Sequence, residues 1–279
     1  MFQISMTLLY QLLFLLLDPV IMNVDRLLSS LLLGFIALVG FAYLLRWARR
    51  GAVHSARVDR DGGSVLVPKG VMEMFQWLVT PVGRFSAHLG FTANGVTWGS
   101  LVLGLAAGVA LGLGRPGLAA FLGAFSASGD ALDGWLARTT GSASPAGEVL
   151  DTTVDRCTEF FFLAGTCVVF RPYSVLLLTT VAALFASLMG SYVTAKAEAL
   201  GHAAPRGAIR RTERAVLLLG GALLCPLLDD GLPSALGRPP FLPLAAAVTF
   251  LAVAGNVSWS RRMAALYRGV GEEKREGSP

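Results

Sequence analysis

Four aspartates crowd into the stretch "GDALDGWLARTTGSASPAGEVLDTTVDR", residues 129–156: Asp130, Asp133, Asp151 and Asp155. Asp130 and Asp133 lie three apart, and Ala137 extends the same helical face. Gly147, Asp151 and Asp155 are spaced by four and form one stripe of a second helix. The "TTGSASPA" segment between them joins the two helices as an antiparallel pair, so both acid pairs can face each other at one depth. An acid near mid-bilayer costs about 2.5–3.5 kcal/mol on insertion scales. Like charges side by side add repulsion, and a cation relieves both problems. Carboxylate oxygens suit Mg²⁺ or Mn²⁺, which keep waters and share substrate phosphates. Two such ions would form a clamp for phosphoryl chemistry. The plainer reading, acids that merely face water at a helix end, leaves the paired spacing and the apolar flanks unexplained. Gly134 and Gly147 fit close helix packing and also the approach of a nucleotide to bare backbone, and the two readings are compatible.

The elements that must position these acids are apolar. The 279 residues are 54% hydrophobic and only 15% charged, and mean hydropathy is +0.63. Soluble domains are about one quarter charged, so this is an all-α integral membrane protein. Helices are expected because lipid offers no partner for backbone groups, and the runs lack the ten-residue alternation of a barrel. Six spans are expected over 94–113, 117–139, 148–170, 173–200, 211–229 and 240–265, preceded by an interfacial amphipathic helix over 71–90 that Pro81 breaks. One or two extra hydrophobic helices open the chain, a weak run at 5–22 holding Asp18-Pro19 and a convincing one at 27–45. The expected organisation is an N-terminal hydrophobic region (1–50), a cytoplasmic linker (51–70), a membrane domain (71–270) and a disordered tail (271–279).

Basic residues divide unevenly between the two sides. Arg46, Arg49, Arg50, Lys196, Arg210, Arg211, Arg214, Arg261 and Arg262 fall on one, against Arg115, Arg171 and Arg238 on the other. The positive-inside rule makes the first side cytoplasmic, and the four aspartates lie at that end. Plasma (inner) membrane residence with a cytoplasmic-side site follows as the expectation. Cys157, Cys167 and Cys225 lie in apolar runs without CxxC spacing and read as small buried hydrophobes. His54, His88 and His202 are scattered, away from any ligand spacing. The tryptophans, among them Trp47, Trp77 and Trp98, read as interface anchors. No nucleic-acid partner is expected.

The acidic stretch reads D-x2-D-G-x2-A-R-x8-G-x3-D-x3-D through Asp130, Asp133, Gly134, Ala137, Arg138, Gly147, Asp151 and Asp155. It resembles the full signature of the CDP-alcohol phosphotransferases, and the six-span layout over about 71–270 resembles theirs too. The resemblance implies that Asp130, Asp133 and Asp151 bind two divalent metals, Mg²⁺ or Mn²⁺. Asp155 would also reach a metal and act as general base. It implies that Gly134, Ala137, Arg138 and Gly147 cradle the CDP part of a CDP-lipid donor. It further implies release of CMP, phospholipid biosynthesis and a homodimer. "TANGVTWGS" resembles the family's T-P-N-x-[LIV]-T, with Asn94 and Thr97 matching and Ala93 in place of Pro; Asn94 reads as a helix cap.

The acceptor is read from "SYVTAKAEALGHAAPRGAIRRTERAV", residues 191–216. Its cations satisfy the positive-inside bias and equally suit a phosphorylated alcohol. The segment resembles that of phosphatidylinositol-phosphate synthases through Ser191, Tyr192, Ala195, Ala197, Glu198, Gly201, Gly207, Arg211, Glu213 and Arg214. Lys196 stands where that branch has Arg, and Arg210 where it has Glu. "DRCTE", Asp155 to Glu159, resembles the same branch. The expectation is an inositol phosphate acceptor held by Lys196, Arg211 and Arg214. The alternatives are a small alcohol of the glycerol phosphate or serine type and, more remotely, a cation-coupled transporter. A transporter gives no reason for Arg138 and Gly147 at their spacing.

Overall fold

The computed structural model describes the backbone of residues 2–51, 67–203, 207, 209–228 and 241–276, with side chains between residues 22 and 271. Most of the expected linker, with His54, Arg57 and Arg60, lies outside these residues, as do Arg206, Arg238 and 277–279. Among the described residues there are eight helices and no strand. They are α1 (Phe2–Arg50), α2 (Lys69–His88), α3 (Ala93–Gly112), α4 (Pro116–Thr140), α5 (Pro145–Phe170), α6 (Ser174–Ala199), α7 (Arg211–Leu228) and α8 (Leu242–Glu276).

The six expected spans correspond to α3–α8, with their starts within three residues of expectation. Among the described residues, four helical stretches are long and apolar enough to cross a membrane: Met22–Arg50, Ala93–Gly112, Ser174–Ala199 and Leu242–Gly271. α4, α5 and α7 are interrupted by charge. Asp130 and Asp133 sit in the C-terminal half of α4, Asp151 and Asp155 in the N-terminal half of α5, and Arg211 and Arg214 in the first turn of α7. The protein is an all-α integral membrane protein whose charges gather at one end of three neighbouring helices.

One expectation is made definite and two are corrected. The runs at 5–22 and 27–45 lie in one helix, and Asp18-Pro19 does not end it. A continuous helix keeps backbone groups satisfied where lipid cannot. Pro81 does not break α2. The helix buries Glu73, Val79 and Gly83 along one face. Glu73 accepts a hydrogen bond from Tyr43 of α1 at 3.2 Å, and Gly83 lies against the Trp135 indole of α4. This packing carries the helix through a residue that local propensity disfavours. The tail expected from 271 is helical as far as Glu276, a continuation of α8.

Local signals account for the antiparallel pair. Gly141 ends α4 in the left-handed conformation at φ 69°, and Ser144 caps α5 by accepting from the Gly147 N–H at 3.1 Å, with Pro145 in the first turn. A connection this short forces α4 and α5 to run antiparallel. α3 packs against both. Its Gly108 meets Gly165 of α5 backbone to backbone, the small-residue contact typical of membrane helices. Thr92, rather than Asn94, caps α3, accepting from Gly95 N–H at 3.1 Å. Asn94 falls inside the first turn, directed toward Gly147. α6 packs on α8, where Asn256 donates to the Ala182 carbonyl at 3.0 Å.

α1 is bound to this bundle at a place the sequence does not advertise. α4 begins at Pro116, and its N-cap residue Arg115 makes no side-chain cap. The carboxylate of Asp25, only 5% exposed, accepts instead from the N–H groups of Gly117 at 2.8 Å and Leu118 at 2.7 Å. These are orphan donors of the first turn, and an anion there also meets the positive end of the helix dipole. A side chain at Gly117 would collide with the backbone of α1 at Asp25. Arg26 donates to the Pro226 carbonyl of α7 at 3.1 Å.

Candidate active site

A cavity opens between α3, α4, α5 and α7. Its floor is apolar, formed by Gly104, Ala107, Gly123, Phe162 and Leu218 among others, and its other lining residues include all four aspartates with Glu159 and Arg211. Asp130, Asp151 and Asp155 each place one carboxylate oxygen so that all three lie within 4.8 Å of one another. The i, i+4 spacing of Asp151 and Asp155, with the 141–144 turn that folds α5 back on α4, brings three of the four expected carboxylates together. An all-oxygen donor set at this separation fits a hard divalent ion such as Mg²⁺ or Mn²⁺.

Asp133 sits apart from that group. It is 5% exposed, and its carboxylate accepts from the Thr97 hydroxyl of α3 at 2.6 Å. Thr97 also donates to the Ala93 carbonyl at 3.0 Å, so the start of α3 holds the orientation of Asp133. Thr97 matched a family position in the sequence, yet only the packing of α3 on α4 reveals its partner.

Gly134, Ala137, Arg138 and Gly147 do not line the cavity. They belong to the facing ends of α4 and α5 around the connecting turn. The Arg138 guanidinium lies over Gly134, and Gly147 faces Ser144 and Asn94. This group sits beside the acids with bare backbone at two positions.

The three cations expected to receive the acceptor take different places. Arg211 reaches the acids themselves: one guanidinium nitrogen contacts Asp130 at 3.2 Å, and the other contacts Asp155. Arg214 is 6% exposed and held by both oxygens of Glu159, at 2.5 and 3.0 Å. Lys196 is exposed in the last turn of α6 and does not line the cavity. Glu213, matched by resemblance, is 1% exposed and accepts from the Arg210 N–H at 2.7 Å, half of a capping box at the start of α7.

Two residues outside the expected set join this network. Glu159 continues the stripe 147–151–155 by one more step of four, a signal that was present. Arg262 of α8 donates to the Gly190 carbonyl at 3.3 Å and to the Thr194 hydroxyl at 2.6 Å, beside Arg214. Nothing local to its sequence indicates that α8 turns it toward α6.

Residues 91–258 match the model of the CDP-alcohol phosphatidyltransferases. The chain is 33% identical over 205 residues to a phosphatidylinositol phosphate synthase of Mycobacteroides abscessus, covering 70% of this chain and 86% of that one. It is 31% identical over 220 residues to the protein of that name in Mycobacterium tuberculosis, covering 74% and 93%. The crystal structure of the M. tuberculosis phosphatidylinositol phosphate synthase with CDP-DAG bound is similar, with a TM-score of 0.59 and 27% identity, covering 68% of this chain and 93% of that one. A structure of the same enzyme in complex with manganese and citrate matches with the same TM-score and identity, covering 68% and 88%. Family match, relatives and carboxylate geometry agree, and the chain belongs to the CDP-alcohol phosphatidyltransferase family.

Proposed function

We propose that the protein transfers a phosphatidyl group from a CDP-diacylglycerol-type lipid to a hydroxyl of inositol phosphate, with release of CMP. The observation that carries this reading is the convergence of three carboxylates from α4 and α5 within 4.8 Å at the wall of a cavity. Asp130, Asp133, Asp151 and Asp155 would hold two divalent ions, Mg²⁺ or Mn²⁺. Bound there, the ions supply charge neutralisation of the donor pyrophosphate and of the departing CMP. Gly134, Ala137, Arg138 and Gly147 hold the CDP group, with Arg138 offering a planar fork to phosphate oxygens. Asp155 takes the proton of the acceptor hydroxyl as its oxygen bonds to the β-phosphorus. The bond from that phosphorus to the bridging oxygen breaks, and CMP carries its electron pair away.

The acceptor phosphate is assigned to Lys196, Arg211 and Arg214, with Arg262 added from the structure. The names of the relatives support inositol phosphate as acceptor. Substitution of Lys196 for Arg at one position keeps the charge and loses a bidentate fork. Arg210 contributes its backbone N–H to the cap of α7. On this reading the membrane domain is 71–270, all of α3–α8 cross the bilayer, and the enzyme works as a homodimer in the plasma membrane. Arg49 and Arg50 end α1, Lys196 lies in the last turn of α6 and Arg211 opens α7, and these cations at helix ends support a cytoplasmic-side site.

The test is CMP release by the purified full chain with CDP-diacylglycerol across single acceptors. Release with inositol phosphate, abolished by chelation and restored by Mg²⁺ or Mn²⁺, is expected. Release only with glycerol phosphate or serine would keep the chemistry and overturn the acceptor. Release unaffected by chelation would remove the role given to the carboxylates.

A further inference from the structure

Arg211 and Arg214 are one turn apart on α7, and their surroundings differ in kind. Arg214 is buried and gripped by both oxygens of one carboxylate, Glu159. Arg211 spans two carboxylates on two helices, Asp130 of α4 and Asp155 of α5, with one nitrogen each. Its side chain stays 41% exposed, against 7% for Arg214. A paired fork in a largely buried site holds its guanidinium firmly in place. Single contacts on a solvent-reached guanidinium are weak and readily exchanged. The two carboxylates that Arg211 bridges are also two of the three whose oxygens converge within 4.8 Å.

We propose that Arg211 competes with the divalent ion for Asp130 and Asp155, and that the ion's arrival transfers Arg211 to the phosphate of the acceptor. This rests on the reading of those carboxylates as ion ligands. The charges enforce the exchange. A dication among these oxygens takes the negative charge that holds the guanidinium and repels it at contact distance. The released guanidinium stays tethered to the first turn of α7, at the wall of the cavity. An anionic oxygen is then the partner that satisfies it. Metal binding thereby completes the acceptor site, and the ion binds before the acceptor. The same residue lowers ion affinity and raises acceptor affinity, two effects of opposite sign that a purely phosphate-binding arginine would not show.

The experiment measures Mn²⁺ binding to the purified full chain, without donor or acceptor, by the electron paramagnetic resonance signal of free Mn²⁺. Arg211→Gln is expected to bind Mn²⁺ about tenfold more tightly than the natural chain. Arg211→Lys, which keeps the charge and cannot span both acids, is expected to fall between. A second readout needs no variant: phenylglyoxal labelling of Arg211, followed by peptide mass. Labelling is expected to rise when Mn²⁺ is added and to fall again with inositol phosphate. Unchanged or weaker Mn²⁺ binding by Arg211→Gln would overturn the exchange. So would labelling indifferent to Mn²⁺, which would leave only a through-space charge effect. Absence of Mn²⁺ binding in every form would overturn it as well. CMP release by the natural chain, measured in parallel, separates the two proposals: release with unchanged Mn²⁺ affinity in Arg211→Gln keeps the function and removes the exchange.

Discussion

Aspartates serve both ends of α4, and they are satisfied in opposite ways. At the start of the helix, Asp25 is buried and receives two backbone N–H groups of α4 itself. Toward its other end, Asp130 shares a site with Asp151 and Asp155 and is touched by Arg211, a side chain with solvent access. Backbone donors cannot leave without unwinding the helix, so Asp25 is a structural clamp. A side-chain cation can leave by rotating, so the cluster is open to exchange. The comparison separates a carboxylate that holds the fold from carboxylates that the fold holds ready.

The sharpest way to test that separation is to remove chemistry and leave structure. Asp155→Asn should lower CMP release about 10³-fold, the scale of a lost general base that also contacts the ion. Its thermal unfolding should stay close to that of the natural chain, because a contact to a half-exposed arginine contributes little stability. A strongly lowered unfolding temperature would place Asp155 with Asp25 on the structural side.

The Glu159–Arg214 pair stands between the two classes, since Glu159 lines the site and Arg214 is buried. Arg214→Gln should destabilise by about 3 kcal/mol by leaving the largely buried Glu159 carboxylate unpaired. Glu159→Gln added to it should recover part of that loss, measured by denaturation in detergent. No recovery would mean that Arg214 acts through something other than Glu159.

The smallest effect is expected at the clamp. Asp25→Ala should cost about 2 kcal/mol, the value of a helix cap with two buried donors left unmet. CMP release per folded molecule should hold at the natural level, because Asp25 lies at the end of α4 remote from the acids. A fall in release without loss of stability would show that α1 reaches the chemistry as well as the fold.

Much of the site was legible because helical spacing is a local property. Asp130 lies on one helix and Asp151 and Asp155 on the next, joined by one short turn, so periodicity and the Gly141–Pro145 connection were enough to place them together. Glu159 obeyed the same period. The partners of Thr97, Arg262 and Asp25 were not legible, because each lies tens of residues away, on a helix whose rotation no local pattern states. Pro81 illustrates the same limit from the other side: propensity predicted a break, and burial of Glu73 and Gly83 overrode it.

By itself the sequence determined the apolar helices, their approximate ends and the acid stripes, because hydropathy and the 3.6-residue period act over one or two turns. Only the tertiary structure decided that Asp133 binds Thr97 while its three companions converge. It alone decided that Arg211 meets the acids and Arg214 meets Glu159, and that α1 caps α4 through Asp25. These outcomes depend on how whole helices rotate and slide against one another. Packing of small residues and pairing of distant polar groups set that, and neither leaves a mark in the local sequence.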